Sequence, residues 1–113
     1  MSNNTSHPVR IAWTTTPTLQ NAQDLTHHFL QAGAACVQVD SHIKSYYHWN
    51  DTIQNETEFR LWIKYAPQLE SILQDVLRAN HPYQCPQWIA VDTASGLPEF
   101  AQWVHAQHTS VDS

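Results

Sequence analysis

The residues most able to do chemistry sit in one short stretch, His81-Pro82-Tyr83-Gln84-Cys85-Pro86. Imidazole and thiolate are the side chains that soft divalent metals prefer, so His81 and Cys85 are the candidate metal ligands. Both lie outside any periodic segment, and spacing alone does not make them converge. The competing reading has His81 bonding the turn while Cys85 packs as a small apolar residue. A second group is polar: Gln38, Lys44, Glu58 and Lys64, with Trp49 and Tyr83 nearby in type. Brought together between copies of the chain, Gln38, Trp49, Glu58, Lys64 and Tyr83 would line a cleft for a small anionic ligand. Charge pairing that merely fixes strand register accounts for the same residues. Of the eight histidines, His27 and His28 are consecutive and diverge by about 100° on a helix. His42 and His48 can meet other copies, and His7, His105 and His108 read as end residues. Catalysis has little to work with: there are two glycines, no phosphate-cradling loop and no nucleophile elbow.

What must position these groups is the stretch from Ala34 to Tyr65, which reads as one long β-hairpin. Odd positions Val37, Val39, Ile43, Tyr47 and Trp49 alternate with Gln38, Asp40, His42, Lys44 and His48. The return strand repeats that parity with Ile53, Phe59, Leu61, Ile63 and Tyr65. Period-two alternation is the mark of a strand with one face on a core. A two-residue loop at Asn50-Asp51 would oppose odd to even residues, and a one-residue slip flips every side chain. A three-residue loop, Asn50-Asp51-Thr52, is therefore expected. It sets Trp49 against Ile53, Ile43 against Phe59, Val39 against Ile63, Lys44 against Glu58 and Gln38 against Lys64. At ~3.3 Å per residue the strand from Ala35 to Trp49 spans roughly 50 Å. A domain of this length is on the order of 35 Å across, so the hairpin should overhang its own subunit. Its aromatic tip (Tyr46, Tyr47, Trp49) then needs cover from a second copy, because isolated hairpins are marginal and bare edges pair with other chains.

Before the hairpin, Val9, Ile11 and Trp13 mark a first strand, and Thr16-Pro17 is expected to open a helix through Ala22, Leu25 and Phe29 that Gly33 stops. After it, Pro67 opens a helix with a stripe at Leu69, Ile72, Leu73, Val76 and Leu77, which Asn80 and Pro82 close. Gln87 to Asp92 reads as a last strand. Gly96 to Val104 reads as a short helix burying Phe100, Trp103 and Val104, followed by a frayed tail. The chain is read as one domain over residues 1–113, ordered from about 8 to 105. Its hydrophobic content is 42% and its net charge −5, with only five scattered Lys and Arg. That distribution does not fit a nucleic-acid surface, and no apolar run reaches membrane length. Two cysteines do not make a disulfide framework, which points to a cytoplasmic setting.

Strand, helix, strand, strand, helix, strand is the split βαβ order. It implies an α+β, ferredoxin-like βαββαβ sandwich with an extra C-terminal helix. With that order in place, Ala34-Ala35-Cys36-Val37-Gln38, Tyr46-Tyr47-His48-Trp49, Glu58 to Lys64 and His81 to Pro86 together resemble the CutA family of divalent-cation tolerance proteins over about Val9 to Val104. The resemblance implies a cytoplasmic homotrimer that responds to divalent metals, copper(II) among them, with no assigned reaction. Small-molecule signalling of the PII type and scaffolding of partner proteins are the other readings. Family copper ligands fall on Thr14, Asn80 and His81 here, so only His81 keeps a ligating side chain. The glycine common in the family's hairpin turn is Asp51, and the glutamate after its second proline is Gln87.

Overall fold

The computed structural model describes residues 7–112, with side chains described as far as residue 107. The order is β1 (Arg10–Thr16), α1 (Leu19–Gln31), β2 (Cys36–Trp49), β3 (Thr52–Tyr65), α2 (Glu70–Asn80), β4 (Ile89–Asp92) and α3 (Pro98–Asp112). A single turn of 3₁₀ helix at Pro67–Leu69 leads into α2. The strands form one antiparallel sheet in the order β2-β3-β1-β4. The expected ferredoxin-like α+β sandwich is therefore the fold.

One sheet face carries α1 and α2. Ala22, Leu25 and Phe29 of α1 meet Leu73 and Leu77 of α2 over Ala12, Leu61, Ile63 and Tyr65, all buried. Helix α1 starts two residues later than expected: Thr18, not Thr16, is the cap, and its hydroxyl accepts the Asn21 N–H at 3.0 Å. Gly33, at φ 112°, ends the run as anticipated, since left-handed backbone costs glycine nothing. In β1 Ala12, Thr14 and Thr16 are completely buried and Thr15 nearly so, whereas Ile11 and Trp13, only half-buried, face away from these helices. The alternation marks the strand correctly. Apolar side chains lie on both faces of the sheet, and alternation cannot say which face the helices take.

The hairpin corrects the expected register. Its turn is the two-residue Asn50-Asp51 loop, with both residues left-handed (φ 51° and 63°), and Trp49 pairs with Thr52 rather than Ile53. Those angles are the type I′ signature, whose twist matches that of the strands. Parity is restored lower down by a β-bulge between Asp40 and Ile43, where Ser41 and His42 together oppose Phe59. Below the bulge Val39 pairs with Leu61 and Val37 with Ile63; above it Ile43 pairs with Glu58 and Lys44 with Thr57. Gln38 thus opposes Trp62, and Lys64 opposes Cys36. The slip argument assumed a uniform ladder, and one extra residue in β2 removes that assumption. His42 carries the bulge at φ 60°, a conformation that costs a branched side chain about 1–2 kcal/mol. His42→Val should lower the urea unfolding midpoint by about that much relative to His42→Gly, which suits the same geometry. Equal midpoints for the two variants would mean that the bulge carries no strain.

Strand β1 pairs with β3 only as far as Thr16 opposite Phe59. Beyond that point β2 and β3 continue alone as an arm. It makes the molecule 51 × 29 × 22 Å, with a radius of gyration of 15.3 Å, against about 13 Å for a compact chain of this length. Along the arm Ile53 is 72% and Tyr46 69% exposed, and Tyr47 and Trp49 are exposed as well.

The second sheet face carries α3 along one side, where the Lys64 ammonium lies 5.9 Å from the Phe100 ring centre. This helix is longer than expected and runs on past His105 to Asp112. Within it Val104 is buried, but Phe100 and Trp103 are exposed, contrary to expectation. His105 is no tail residue: its Nε2 bonds the Pro8 carbonyl at 2.7 Å, and its ring meets that of His7. The expected polar start, Met1 to Ser6, and the side chain of His108 lie outside the described residues.

Candidate functional site

Two polar groups stand out once the sheet is in place. The first is at the root of the arm, where the turn after α2 folds back along the end of β1. His81 ends α2, and Nε2 of its ring reaches the Thr15 carbonyl at 2.7 Å. A carbonyl only accepts, so Nε2 carries the hydrogen. Nδ1 in turn accepts the Tyr83 backbone N–H at 3.1 Å. Both ring nitrogens are therefore engaged, and the tautomer is fixed. The Tyr83 ring lies beside the imidazole, 4.9 Å between centres, and its hydroxyl donates to Glu58 Oε2 at 2.7 Å. Glu58 is 6% exposed. Burial raises the Tyr83 phenol well above its ordinary range, and the bond to Glu58 and the charge of Glu56 push the same way. Tyr47 is raised by burial and by the charges of Glu56 and Glu58. At the root of the arm, then, the Glu58 carboxylate is held by a Tyr83 phenol that keeps its proton.

Burial also holds His81 below its ordinary pKa of 6.5, against the opposing pull of the Thr15 carbonyl and Glu58. Its folded pKa lies below the unfolded value, so the unfolded chain binds the extra proton first as pH falls. Stability should be level above about pH 6.5 and decline as pH drops from there toward the folded value. Urea titrations at pH 7.5 and 5.5 should show a larger loss for the wild type than for His81→Gln. An equal loss in both would remove His81 as the cause.

The second group lies across the sheet near the other end. Glu70 Oε1 accepts the Tyr65 hydroxyl in a short bond and Arg10 Nη1 at 3.2 Å. Its Oε2 accepts Trp88 Nε1 at 2.8 Å and Gln74 Nε2 at 2.9 Å. Arg10 also pairs with Asp92 at 2.7 Å. Burial would raise the Glu70 carboxyl, but donors from Tyr65, Trp88, Arg10 and Gln74 outweigh it and hold the group below the ordinary carboxylate value. All lone pairs are used, which makes this a clamp between β1, β3, α2 and the segment before β4. Sequence reasoning missed it because the five residues are far apart in the chain, and only Glu70 and Gln74 share a helix face.

The expected site residues fall in three places. Glu58, Tyr83 and His81 come together. Trp49 is at the arm tip, while Gln38 and Lys64 sit toward the base of the sheet, on the face away from α1 and α2. Cys85 is exposed with a free thiol. Asn80 caps its own helix, its side-chain amide donating to the Val76 carbonyl at 2.8 Å. Thr14 is fully buried on the helix side, with a hydroxyl that finds no partner among the described residues. A copper centre needs free nitrogen or sulfur lone pairs at one point. In a single chain this donor set does not fit one: His81 has no free lone pair, Asn80 is committed, and the described residues hold no cluster of three His, Cys, Asp or Glu side chains.

Comparison with known proteins agrees with this geometry. The model of the CutA1 divalent ion tolerance protein family matches residues 10–107. The mouse protein CutA is 30% identical over 106 residues, 93% of this chain and 60% of that protein. The cow protein CutA is also 30% identical, with 58% of its length covered; the chain thus spans under two thirds of these two relatives. The divalent-cation tolerance protein CutA of Archaeoglobus fulgidus is 32% identical over 80% of this chain and 88% of that one. Among solved structures, CutA1 from Ehrlichia chaffeensis superposes with a TM-score of 0.86 at 30% identity, covering 92% of this chain and 98% of that one. CutA from Xylella fastidiosa gives 0.85 at 31% identity, with 88% and 96% covered. The match over residues 10–107 and the shared architecture lead to one conclusion: this chain belongs to the CutA1 family of divalent ion tolerance proteins.

Proposed function

We propose that this protein acts as a homotrimer in the tolerance of divalent metal ions, as a binding protein with no chemical reaction of its own. The observation that carries the reading is the arm. A two-stranded ribbon holding Tyr46, Tyr47, Trp49 and Ile53 in water has little to stabilise it by itself. The sheet face opposite α1 and α2 offers matching cover, with Trp13 packed edge-on against Trp62 and with Ile89 and Val91 exposed. Each arm laid on a neighbour hides apolar surface from both copies, and a head-to-tail contact of this kind closes into a ring. The two free thiols suit a reducing compartment such as the cytoplasm.

Metal enters this reading through exposed imidazoles, not through a resident centre at His81 and Cys85. His27, His28, His42 and His48 are all exposed, and copper(II) takes such nitrogens readily. Sedimentation should return a species of about three times the 13.0 kDa chain mass. Calorimetric titration with Cu²⁺ should give the same weak isotherm for the native protein and for His81→Ala combined with Cys85→Ser. A tight site present in the first and lost in the second would overturn the metal reading, and a stable single copy would overturn the trimer.

A further inference from the structure

We infer that in the assembled protein Lys64 of one copy pairs with Glu58 of the next, and that this ion pair fixes where each arm lies on its neighbour. The inference rests on the trimer proposed above. Glu58 is a nearly fully buried carboxylate whose bonded donor is a neutral phenol, Tyr83, and no cation lies in ion-pair range of it among the described residues. A buried carboxylate without a counter-charge is unfavourable, so its surroundings are expected to supply one. The nearest candidate in its own chain is Arg60, two residues along β3, but both Nε and Nη2 of Arg60 are turned onto Asp40 Oδ2 at 3.2 and 2.8 Å.

Two lysines remain, and neither forms an ion pair among the described residues. Lys44 pairs with Thr57, so it projects from the arm face opposite to that of Glu58. Lys64 alternates in step with Glu58, Arg60 and Trp62 and shares their face. Six residues of strand, roughly 20 Å, separate Lys64 from Glu58 along β3, so the two cannot meet within one chain. Lys64 instead borders an open groove of about 990 Å³ lined by Ile11, Thr93, Gly96 and Phe100, beside the apolar face that the arm of a second copy would cover. Among the described residues, a lysine with no ion-pair partner and a carboxylate with no cation stand on one face out of reach of each other, and they are complementary only between copies. The same pair then recurs at every contact of a closed ring.

The test is a double-mutant cycle on subunit exchange, followed by native mass spectrometry of isotopically labelled and unlabelled protein. Glu58→Gln keeps an acceptor for Tyr83 and Lys64→Met keeps the stem over Phe100, so both variants preserve the fold. Each should speed exchange by roughly tenfold or more, and the double variant should be no faster than the faster single. Added salt should speed exchange of the wild type more than that of Lys64→Met. Unchanged exchange in either single variant, or a double-variant effect equal to the product of the two, would overturn the pair and leave the trimer standing. A wild-type protein that runs as a single copy would remove both, and it would be recognised before any variant is made.

Discussion

Replacing Glu70 with alanine is expected to lower the stability of the fold by about 3 kcal/mol. The carboxylate takes four donors, from Tyr65, Arg10, Trp88 and Gln74. One of them cannot recover in water, because Tyr65 is fully buried; Trp88 is half-buried and packs against both Phe29 and Tyr65. A buried donor left without a partner costs roughly 1–3 kcal/mol. Arg10 retains Asp92, so the loss stays below the sum of all four bonds. Tyr65→Phe removes only one donor and its bond, and should cost about 1 kcal/mol. A pH signature separates this clamp from simple packing. Burial raises the Glu70 carboxyl, but its donors hold it lower overall. A group with a depressed folded pKa stabilises above its unfolded value and loses that contribution as pH falls through the folded one. The gap between wild type and Glu70→Ala, read from urea midpoints at fixed protein concentration, should therefore persist at pH 5 and narrow once pH drops below the ordinary carboxylate range. A gap of under 1 kcal/mol at pH 7 would show that the clamp is dispensable.

The second large effect concerns assembly. Excising the arm above the bulge, from Lys44 to Thr57, and closing Ile43 to Glu58 through a short turn should leave a folded single copy. The α1–α2–sheet core contains none of the removed residues, so circular dichroism should still report the same helix content. Association should weaken by a factor on the order of 10³ or more, because four apolar side chains would no longer be covered, at ~1.5–3 kcal/mol each. The milder change, Trp49→Ala with Ile53→Ala, should weaken association less and leave the turn intact. If the shortened chain still sediments as a trimer, the sheet face alone holds the copies together and the arm serves some other purpose.

Much of this molecule was legible without coordinates. Helical stripes such as Ala22-Leu25-Phe29, a Gly33 stop and period-two strands are written by near neighbours, so the order of elements and the ferredoxin-like sandwich follow from local pattern. The long hairpin was legible for the same reason, and its length alone implied that it outgrows a compact domain of this size. The His81-to-Pro86 turn was conspicuous in composition, but its geometry was not. Which ring nitrogen of His81 carries the hydrogen depends on the Thr15 carbonyl, 66 positions away in the chain.

Local pattern was silent wherever two distant segments had to choose between equivalent arrangements. Odd-against-odd pairing in the hairpin looked compulsory, yet a left-handed His42 adds one residue to β2, so a two-residue turn and a correctly faced base coexist. A bulge leaves no sequence signal when the left-handed residue is not glycine. The facing of β1 was open for a related reason: Ile11 and Trp13 are more apolar than Ala12 and Thr14, yet it is the smaller set that lies buried under α1 and α2. The Glu70 clamp and the Glu58–Tyr83 contact are products of chain crossing, assembled from strand, helix and turn residues that share no spacing rule. The sequence by itself determined the elements, their order and the excess length of the arm, since those depend on interactions within a few residues. Only the tertiary structure decided register, facing and which polar groups meet, since those depend on steric fit between segments that the chain brings together from far apart.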